Sequence, residues 1–214
     1  MTILLPKAWI QDRKRDYYYQ KAKAENYRSR ATYKLSQTAM KYHFIRRGDV
    51  VVDLGAAPGG WIQAARKIAG KTGFVLGVDL KPIEPFPQEY IRTIVADFTE
   101  PEVLQQIMDF LPRKADVVLS DASPNISGIW EVDNARQIDL AGQALQVALS
   151  VLRPSGDFFV KVFEGNMLPG FVKIVKKHFE VVKVIKPKAS RAKSSEMYLL
   201  AMGLKTASRA EEQS

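Results

Sequence analysis

The feature that most constrains this fold is a short apolar run that ends in a cluster of glycines. Val50–Leu54 is predicted to be a buried strand, because its residues are apolar apart from Asp53. The glycine-rich segment 55–60 interrupts the strand, and the apolar spacing over 62–69 predicts a helix directly after it. A strand, a glycine turn and a helix form the opening unit of a nucleotide-binding α/β sheet.

The glycine turn also limits which ligand can bind there. Glycines allow a ligand to approach the backbone closely, since no side chain blocks it. The dinucleotide fingerprint would place glycine at positions 55, 57 and 60, but Ala57 occupies the middle position. Asp53, two residues before Gly55, suits a cationic ligand better than a pyrophosphate. The run therefore favours S-adenosylmethionine (SAM) over NAD, and an NAD-dependent oxidoreductase stays open as an alternative.

The composition is that of a single globular domain with few options for metal binding. The chain has 214 residues, no cysteine and two histidines, His43 and His178, far apart in sequence. Disulfides, iron–sulfur clusters and cysteine zinc sites are thereby excluded, and we expect no metal site. No apolar run approaches the ~18 residues that a membrane helix needs. A cytoplasmic protein without membrane contact, and without an obligate protein partner, is the expectation.

Positive charge is concentrated in two parts of the chain. Residues 1–34 hold nine Lys/Arg and three Asp/Glu, and residues 173–193 hold eight and one, so the rest of the chain is net negative. In the first block the basic residues alternate with tyrosines, which predicts phosphate contacts and stacking on RNA. Two solvated faces are the alternative interpretation. The candidate RNA-binding residues are Arg28, Arg30, Lys188, Arg191 and Lys193.

Acidic residues follow the second and third predicted strands. Asp79 is positioned for ribose hydroxyls, a feature that NAD and SAM share, and Asp97 could accept a hydrogen bond from an adenine amino group. A polar tail, 205–214, is predicted to be disordered, and 1–204 to be one domain with a basic extension over 1–30. The remaining strands are predicted at 73–79, 90–96, 115–121, 156–163, 179–187 and 196–202, and the other helices at 31–43, 101–111, 134–152 and 168–178.

Lys161 is the least expected residue in the sequence. It lies in the strand 156–163 between Phe158-Phe159-Val160 and Val162-Phe163, and a strand that is apolar on both faces is typically central and buried. Burying an ammonium group costs several kcal/mol unless it is paired or neutral. A lysine at the exposed end of the strand is the alternative, but a functional lysine is the favoured interpretation.

Five runs of the sequence carry a resemblance to a known family. They are Tyr27–Arg30 with Tyr33–Leu35, Asp53–Trp61, Ser120–Gly128, Val160–Phe163 and Pro187–Glu196. Together they resemble the FtsJ-type (RrmJ-like) RNA 2′-O-ribose methyltransferases, over about residues 8–204. Residues 128–133 depart from the pattern of the bacterial members of that family.

The resemblance implies a Rossmann-like SAM-dependent methyltransferase fold, with a seven-stranded, mostly parallel sheet, one antiparallel strand and helices on both faces. It implies a catalytic tetrad that matches Lys34, Asp121, Lys161 and Glu196, with SAM as the methyl donor and no metal. The resemblance implies donor-binding positions at Gly59, Trp61, Asp79, Asp97 and Asp121, and the strand and glycine turn add Asp53 and Gly55 to the predicted cofactor-binding residues.

The resemblance also implies a substrate and leaves the role of Lys161 open. The expected reaction is 2′-O-methylation of a ribose in RNA, most similar to the enzymes that modify a uridine of large-subunit ribosomal RNA. Transfer RNA is the alternative substrate, and a non-catalytic RNA-binding protein is a more distant one. Lys161 either accepts the proton of the 2′-hydroxyl as a base or stays charged and orients that hydroxyl.

Overall fold

The computed structural model describes residues 16–191 and 194–206, which form one sheet with helices on both of its faces. The predicted tail from 207 onward, the first half of the basic extension and Lys193 lie outside the described residues. The helices are α1 Tyr17–Ala24, α2 Thr32–Tyr42, α3 Gly60–Ala69, α4 Pro101–Phe110, α5 Trp130–Val151 and α6 Leu168–His178. The strands are β1 Val50–Leu54, β2 Phe74–Asp79, β3 Ile91–Val95, β4 Ala115–Ser120, β5 Leu152–Phe163, β6 Phe179–Ile185 and β7 Glu196–Leu204.

The sheet has the order β3-β2-β1-β4-β5-β7-β6, and β7 is antiparallel to both of its neighbours. The pairs β1–β2, β1–β4, β2–β3 and β4–β5 are parallel, so the predicted fold class is confirmed. The strand order reverses between β1 and β4, which is where open α/β sheets form a ligand crevice at their carboxyl ends. Since β7 runs the other way, its first residue, Glu196, lies at that same edge.

Alternating side chains explain how the two faces of the sheet are covered. Val50, Val52 and Leu54 of β1 join a buried cluster with α4, α5 and α6, whereas Val51 joins the cluster under α2 and α3. Asp53 follows the same alternation and therefore points to the α2–α3 face of a fully buried strand.

The structure adds two features that the sequence did not predict. Residues 17–24 of the basic block form α1, and its Ala22 packs with Tyr33 and Ala189. Helix α5 begins at Trp130, a full turn before the predicted start near 134. Within the described part of the chain, no helix is long and apolar enough to cross a membrane.

Candidate active site

A cavity of about 600 Å³ opens where β1, β2, β3 and β4 end. Gly55, Asp79, Asp97 and Asp121, each at or just after one of these strand ends, line it. Four of the seven predicted cofactor-binding positions thus surround one space. The cavity lies at the point where the strand order reverses, as the glycine turn predicts.

Gly55 shows why the turn after β1 requires glycine. Its φ of 73° lies in the left-handed region, and a Cβ there would lie 2.7 Å from the Cα of Ala122. Because real Cβ contacts are never this close, any side chain would displace the loop that follows β4. Glycine therefore allows the ends of β1 and β4 to meet beside the cavity.

Backbone N–H groups hold the carboxylates of Asp79 and Asp97 in place. Asp79 accepts hydrogen bonds from the N–H of Ala57 (2.8 Å) and of Lys81 (2.8 Å). Oδ1 of Asp97 accepts from the N–H (3.0 Å) and the hydroxyl (2.7 Å) of Thr99. Both carboxylates are thus oriented before any ligand binds, which is how a preorganised binding site lowers the cost of association.

Asp53 is a fully buried carboxylate, and neither of its oxygens has a hydrogen-bond partner among the described residues. Burial raises the pKa of Asp53 well above its usual value, and the nearby charges of Asp121 and Asp79 raise it further. A cation bound nearby would stabilise these carboxylates. The sulfonium and ammonium groups of SAM fit this cluster of carboxylates, whereas the pyrophosphate of NAD would be repelled by it.

Asp53, Gly59 and Trp61, the other three predicted cofactor-binding residues, are not among those lining the cavity. The indole of Trp61 is buried, stacks on Phe159 with ring centroids 5.4 Å apart, and donates a hydrogen bond to the carbonyl of Ala31. Gly59, at φ 106°, makes room for Phe86 and Arg28. The contacts of Trp61 and Gly59 are therefore with other parts of the protein, and they hold the glycine turn in place.

The four predicted tetrad residues form two ion pairs at the edge of the sheet. Lys34 Nζ lies 2.5 Å from Glu196 Oε1, and Lys161 Nζ lies 3.3 Å from Asp121 Oδ1. Lys161 Nζ also donates to the backbone carbonyl of Asp121 at 2.5 Å. Lys161 is 6% exposed, so the expectation of a buried lysine in a central strand is met.

Tyr198 connects the two ion pairs, and sequence reasoning missed it. Its hydroxyl donates to Asp121 Oδ1 (2.8 Å) and accepts from Lys34 Nζ (3.3 Å). Burial, followed by the charges of Asp121 and Glu196, raises the pKa of Tyr198 well above its ordinary value, so the phenol keeps its proton. Tyr198 pairs with Lys161 across β5–β7, and it follows Glu196 by two residues on the same face of β7. The two-residue spacing from Glu196 is the sequence signal that could have identified Tyr198 as a neighbour of the tetrad.

The two basic blocks meet in three dimensions. Arg30 forms an ion pair with Asp16 and donates to the carbonyl of Ala189 (2.5 Å), and Arg191 lies 3.5 Å from the same Asp16 carboxylate. Lys188 is exposed beside this contact. A cavity of about 460 Å³ opens here, lined by Tyr19, Lys23, Tyr27, Arg28, Arg30 and Arg191 among others.

Arg28 is committed to contacts within the protein. Its guanidinium donates to the carbonyls of Pro58 (3.3 Å), Glu84 (2.6 Å) and Pro85 (3.2 Å), and packs 3.8 Å from the centre of the Phe86 ring. Its N–H groups thus bind backbone carbonyls that surround the glycine turn. Sequence reasoning assigned Arg28 to RNA, whereas these contacts tie the N-terminal segment to the turn.

Comparisons with known proteins identify the family to which this chain is similar. The profile of the FtsJ-like methyltransferase family matches residues 27–204. A protein of Methanocaldococcus jannaschii named ribosomal RNA large subunit methyltransferase E is 50% identical over 198 residues, 91% of this chain and 81% of its own. A protein of the same name from Methanothrix thermoacetophila is 53% identical over 193 residues, 90% of this chain and 74% of its own.

A solved structure is also similar. It is a Plasmodium falciparum protein described as a ribosomal RNA methyltransferase, with a TM-score of 0.75 and 26% identity over 83% of this chain and 98% of its own. The extent of the family match and the identity to these relatives lead to one conclusion: this chain belongs to the FtsJ-like methyltransferase family.

Proposed function

We propose that this protein transfers a methyl group from SAM to the 2′-hydroxyl of a ribose in large-subunit ribosomal RNA. The family resemblance described above implies that the modified nucleotide is a uridine. The observation that carries the proposal is the position of Asp121. Asp121 lines the cavity at the strand ends and also contacts both Lys161 and Tyr198. A methyl donor in the cavity would therefore be adjacent to the group that acts on the acceptor.

SAM is the donor that the residues of the cavity fit. Asp79, Asp97 and Asp121 would hold its polar groups, and the buried carboxylate of Asp53, which has no hydrogen-bond partner among the described residues, would stabilise its positive charge. SAM supplies an electrophilic methyl group. The contribution of the protein is to hold donor and acceptor in line, which can lower the barrier by several kcal/mol.

Lys161 is the residue proposed to act on the acceptor hydroxyl. Lys161 Nζ donates to the backbone carbonyl of Asp121 and forms an ion pair with its carboxylate, and an Nζ position that these contacts do not use would face the substrate. That position holds a lone pair if the amine is neutral and acts as a base. If the group is charged, it holds a third N–H that stabilises the developing oxyanion.

Lys34 and Glu196 are proposed to hold the ribose on the other side of Tyr198. Glu196 Oε1 accepts from Lys34 Nζ and from the hydroxyl of Ser190 (3.2 Å), so its carboxylate is fixed. Ser190 belongs to the loop that carries Lys188 and Arg191. The same loop would therefore connect the tetrad to the basic surface that binds RNA phosphates.

Ribosomal RNA is proposed as the substrate because the relatives named above carry that function in their names. The surface where the two basic blocks meet, formed by Arg30, Lys188 and Arg191, would bind the phosphate backbone. Binding to phosphates releases counterions, so RNA affinity is expected to fall steeply as salt rises. A flat salt dependence would contradict this assignment.

The test is methyl transfer from labelled SAM to two substrates, a large-subunit ribosomal RNA transcript and a transfer RNA pool. Alkali-resistant dinucleotides would identify 2′-O-methylated positions. We expect label in the ribosomal RNA, and Lys161→Ala should abolish it while SAM affinity stays within a few-fold. The matched control is Lys71→Ala, which removes an exposed lysine between α3 and β2 and should retain full activity.

Each other outcome changes the proposal in a defined way. Label in transfer RNA alone would keep the chemistry and replace the substrate. Near-normal turnover by Lys161→Ala would refute the role of Lys161. Lys161→Arg separates the two roles, because a guanidinium stays charged and cannot act as the base. Absence of label in both RNAs and in isolated large subunits, despite RNA binding, would favour a non-catalytic RNA-binding protein.

A further inference from the structure

An exposed apolar segment directly follows Asn125, which lines the cavity, and the fold does not account for its exposure. Residues 126–132 cover the end of the connection between β4 and α5 and the first residues of α5. Ile126 is 63% exposed, Ile129 58% and Trp130 44%. Leaving these side chains in water is unfavourable, and their clustering in a few residues is typical of a binding surface.

Hydrogen bonds to Asp133 fix the shape of this segment. The carboxylate of Asp133 is buried and accepts from the N–H (2.7 Å) and hydroxyl (2.8 Å) of Ser127 and from the N–H of Gly128 (3.1 Å). Gly128 adopts a φ of 88°, which favours glycine. The exposed side chains are therefore presented on a defined backbone.

Trp130 stacks on the last residue of the strand that carries Lys161. Its ring and that of Phe163 have centroids 6.0 Å apart and planes at 24°. Phe163 follows Lys161 by two residues, so both side chains point to the same face of β5. Phe163 also pairs directly with Glu196 across the β5–β7 ladder. The aromatic pair thus adjoins the tetrad, and Trp130 remains partly open to solvent.

We propose that Trp130, supported by Phe163, is the platform on which the base of the methylated nucleotide stacks. The inference rests on the proposed function and goes beyond it, because it names the residue that binds the acceptor base. The base is bonded to the ribose carbon next to the one that carries the 2′-hydroxyl. A ribose held at Lys161 therefore places its base within reach of the aromatic pair.

The chemistry of the platform indicates which form of RNA it accepts. An aromatic ring contacts the flat face of a base, which is accessible only when the nucleotide is unstacked from its neighbours. Stacking discriminates weakly among bases, since every base has a π-face. Trp130 would thus contribute to the affinity for an exposed, single-stranded acceptor rather than read its identity.

The first experiment compares the kinetics of Trp130→Ala, Trp130→Phe and the wild type on the RNA substrate. Loss of one base–aromatic stack is expected to raise the KM for RNA about tenfold or more, with kcat and the KM for SAM little changed. Trp130→Phe should restore most of the affinity. The control is Phe110→Ala, because Phe110 is similarly exposed (42%) but lies at the end of α4.

The second experiment uses an RNA that lacks the base at the methylated position. For the wild type, the KM for this RNA should be higher than for intact RNA by about the factor that Trp130→Ala causes on intact RNA. For Trp130→Ala, removing the base should not raise the KM any further. Equal KM values for wild type and Trp130→Ala on intact RNA would overturn the platform. The platform would also be overturned if Trp130→Ala raised the KM by the same factor on intact RNA and on the RNA that lacks the base. A change in oligomeric state caused by Trp130→Ala would overturn it as well.

Failure of the platform can be distinguished from failure of the proposed function. If the wild type methylates no RNA, both proposals fall. If it does so and Trp130→Ala matches it, only the platform falls. Thermal melting of Trp130→Ala separates misfolding from lost contacts, and Trp130→Phe decides the question if the alanine variant unfolds.

Discussion

Asp157→Asn should stabilise this protein at neutral pH without affecting the active site. Asp157 lies on β5 at the edge of the sheet opposite the active site, in a cavity of about 270 Å³ that Asp49, Asp116 and Arg153 also line. Burial raises the pKa of Asp157 from 3.8 to about 6, although a hydrogen bond from the N–H of Gly203 (2.9 Å) and the charge of Arg46 oppose the effect.

The magnitude follows from the difference between the folded and unfolded pKa. A rise from 3.8 to about 6 corresponds to about 3 kcal/mol of destabilisation once the group is ionised in both states. Because Asp157 is only partly buried and solvent screens its charge, we expect about 1–2 kcal/mol. Asparagine can keep the bond to Gly203 through its carbonyl oxygen and carries no charge.

The pH dependence gives the prediction its sign. The folded pKa is the higher one, so the protonated form stabilises the wild type below about pH 4, and this contribution is lost as pH rises through about 6. Asp157→Asn should match the wild type near pH 3.5 and exceed it in free energy of unfolding above pH 6.5.

Urea unfolding of both proteins across that pH range tests the argument. Asp109→Asn, which removes an exposed carboxylate on α4, controls for the change in net charge. A gain that is independent of pH, or lower stability of Asp157→Asn at pH 7.5, would refute the reasoning.

Three further predictions concern the active site. Tyr198→Phe removes the hydroxyl between Asp121 and Lys34, so kcat should fall about tenfold and the free energy of unfolding by about 1–2 kcal/mol, measured by single-turnover kinetics and urea unfolding. Asp53→Asn should weaken SAM binding on the order of tenfold while the melting temperature is kept, because it replaces a buried acid that has no described partner; unchanged affinity would contradict the role of Asp53. Asp97→Ala should weaken SAM binding by about tenfold in titration calorimetry, and an unaltered isotherm would exclude its proposed contact.

The carboxylates of the cavity could be predicted from sequence because parallel strands end at a common edge. Asp79, Asp97 and Asp121 each follow a short apolar run, and such runs identify strands well. Lys161 was predictable for the same reason, since a cation inside an apolar run contrasts with its surroundings. Both inferences depend on local patterns, which one sequence contains in full.

Contacts between distant parts of the chain could not be derived from such patterns. The resemblance placed Lys34 and Glu196 in one tetrad, but only the structure shows their 2.5 Å contact. Tyr198 was missed because tyrosine is ordinary in a strand, and its contacts are with Asp121, which follows β4, and with Lys34 in α2. The contacts of Arg28 with backbone carbonyls could not be predicted either, since charge alone does not show whether a guanidinium binds phosphates or carbonyls of its own protein.

The position of Asp121 between the cavity and Lys161 has a thermodynamic consequence. Its carboxylate borders the donor cavity and is also the ion-pair partner of Lys161. Under the proposed function, any change that a bound donor makes at Asp121 alters how the acceptor binds. Linkage then requires reciprocity: the factor by which SAM changes the affinity for RNA equals the factor by which RNA changes the affinity for SAM. One shared side chain is thus sufficient to make the two binding steps cooperative.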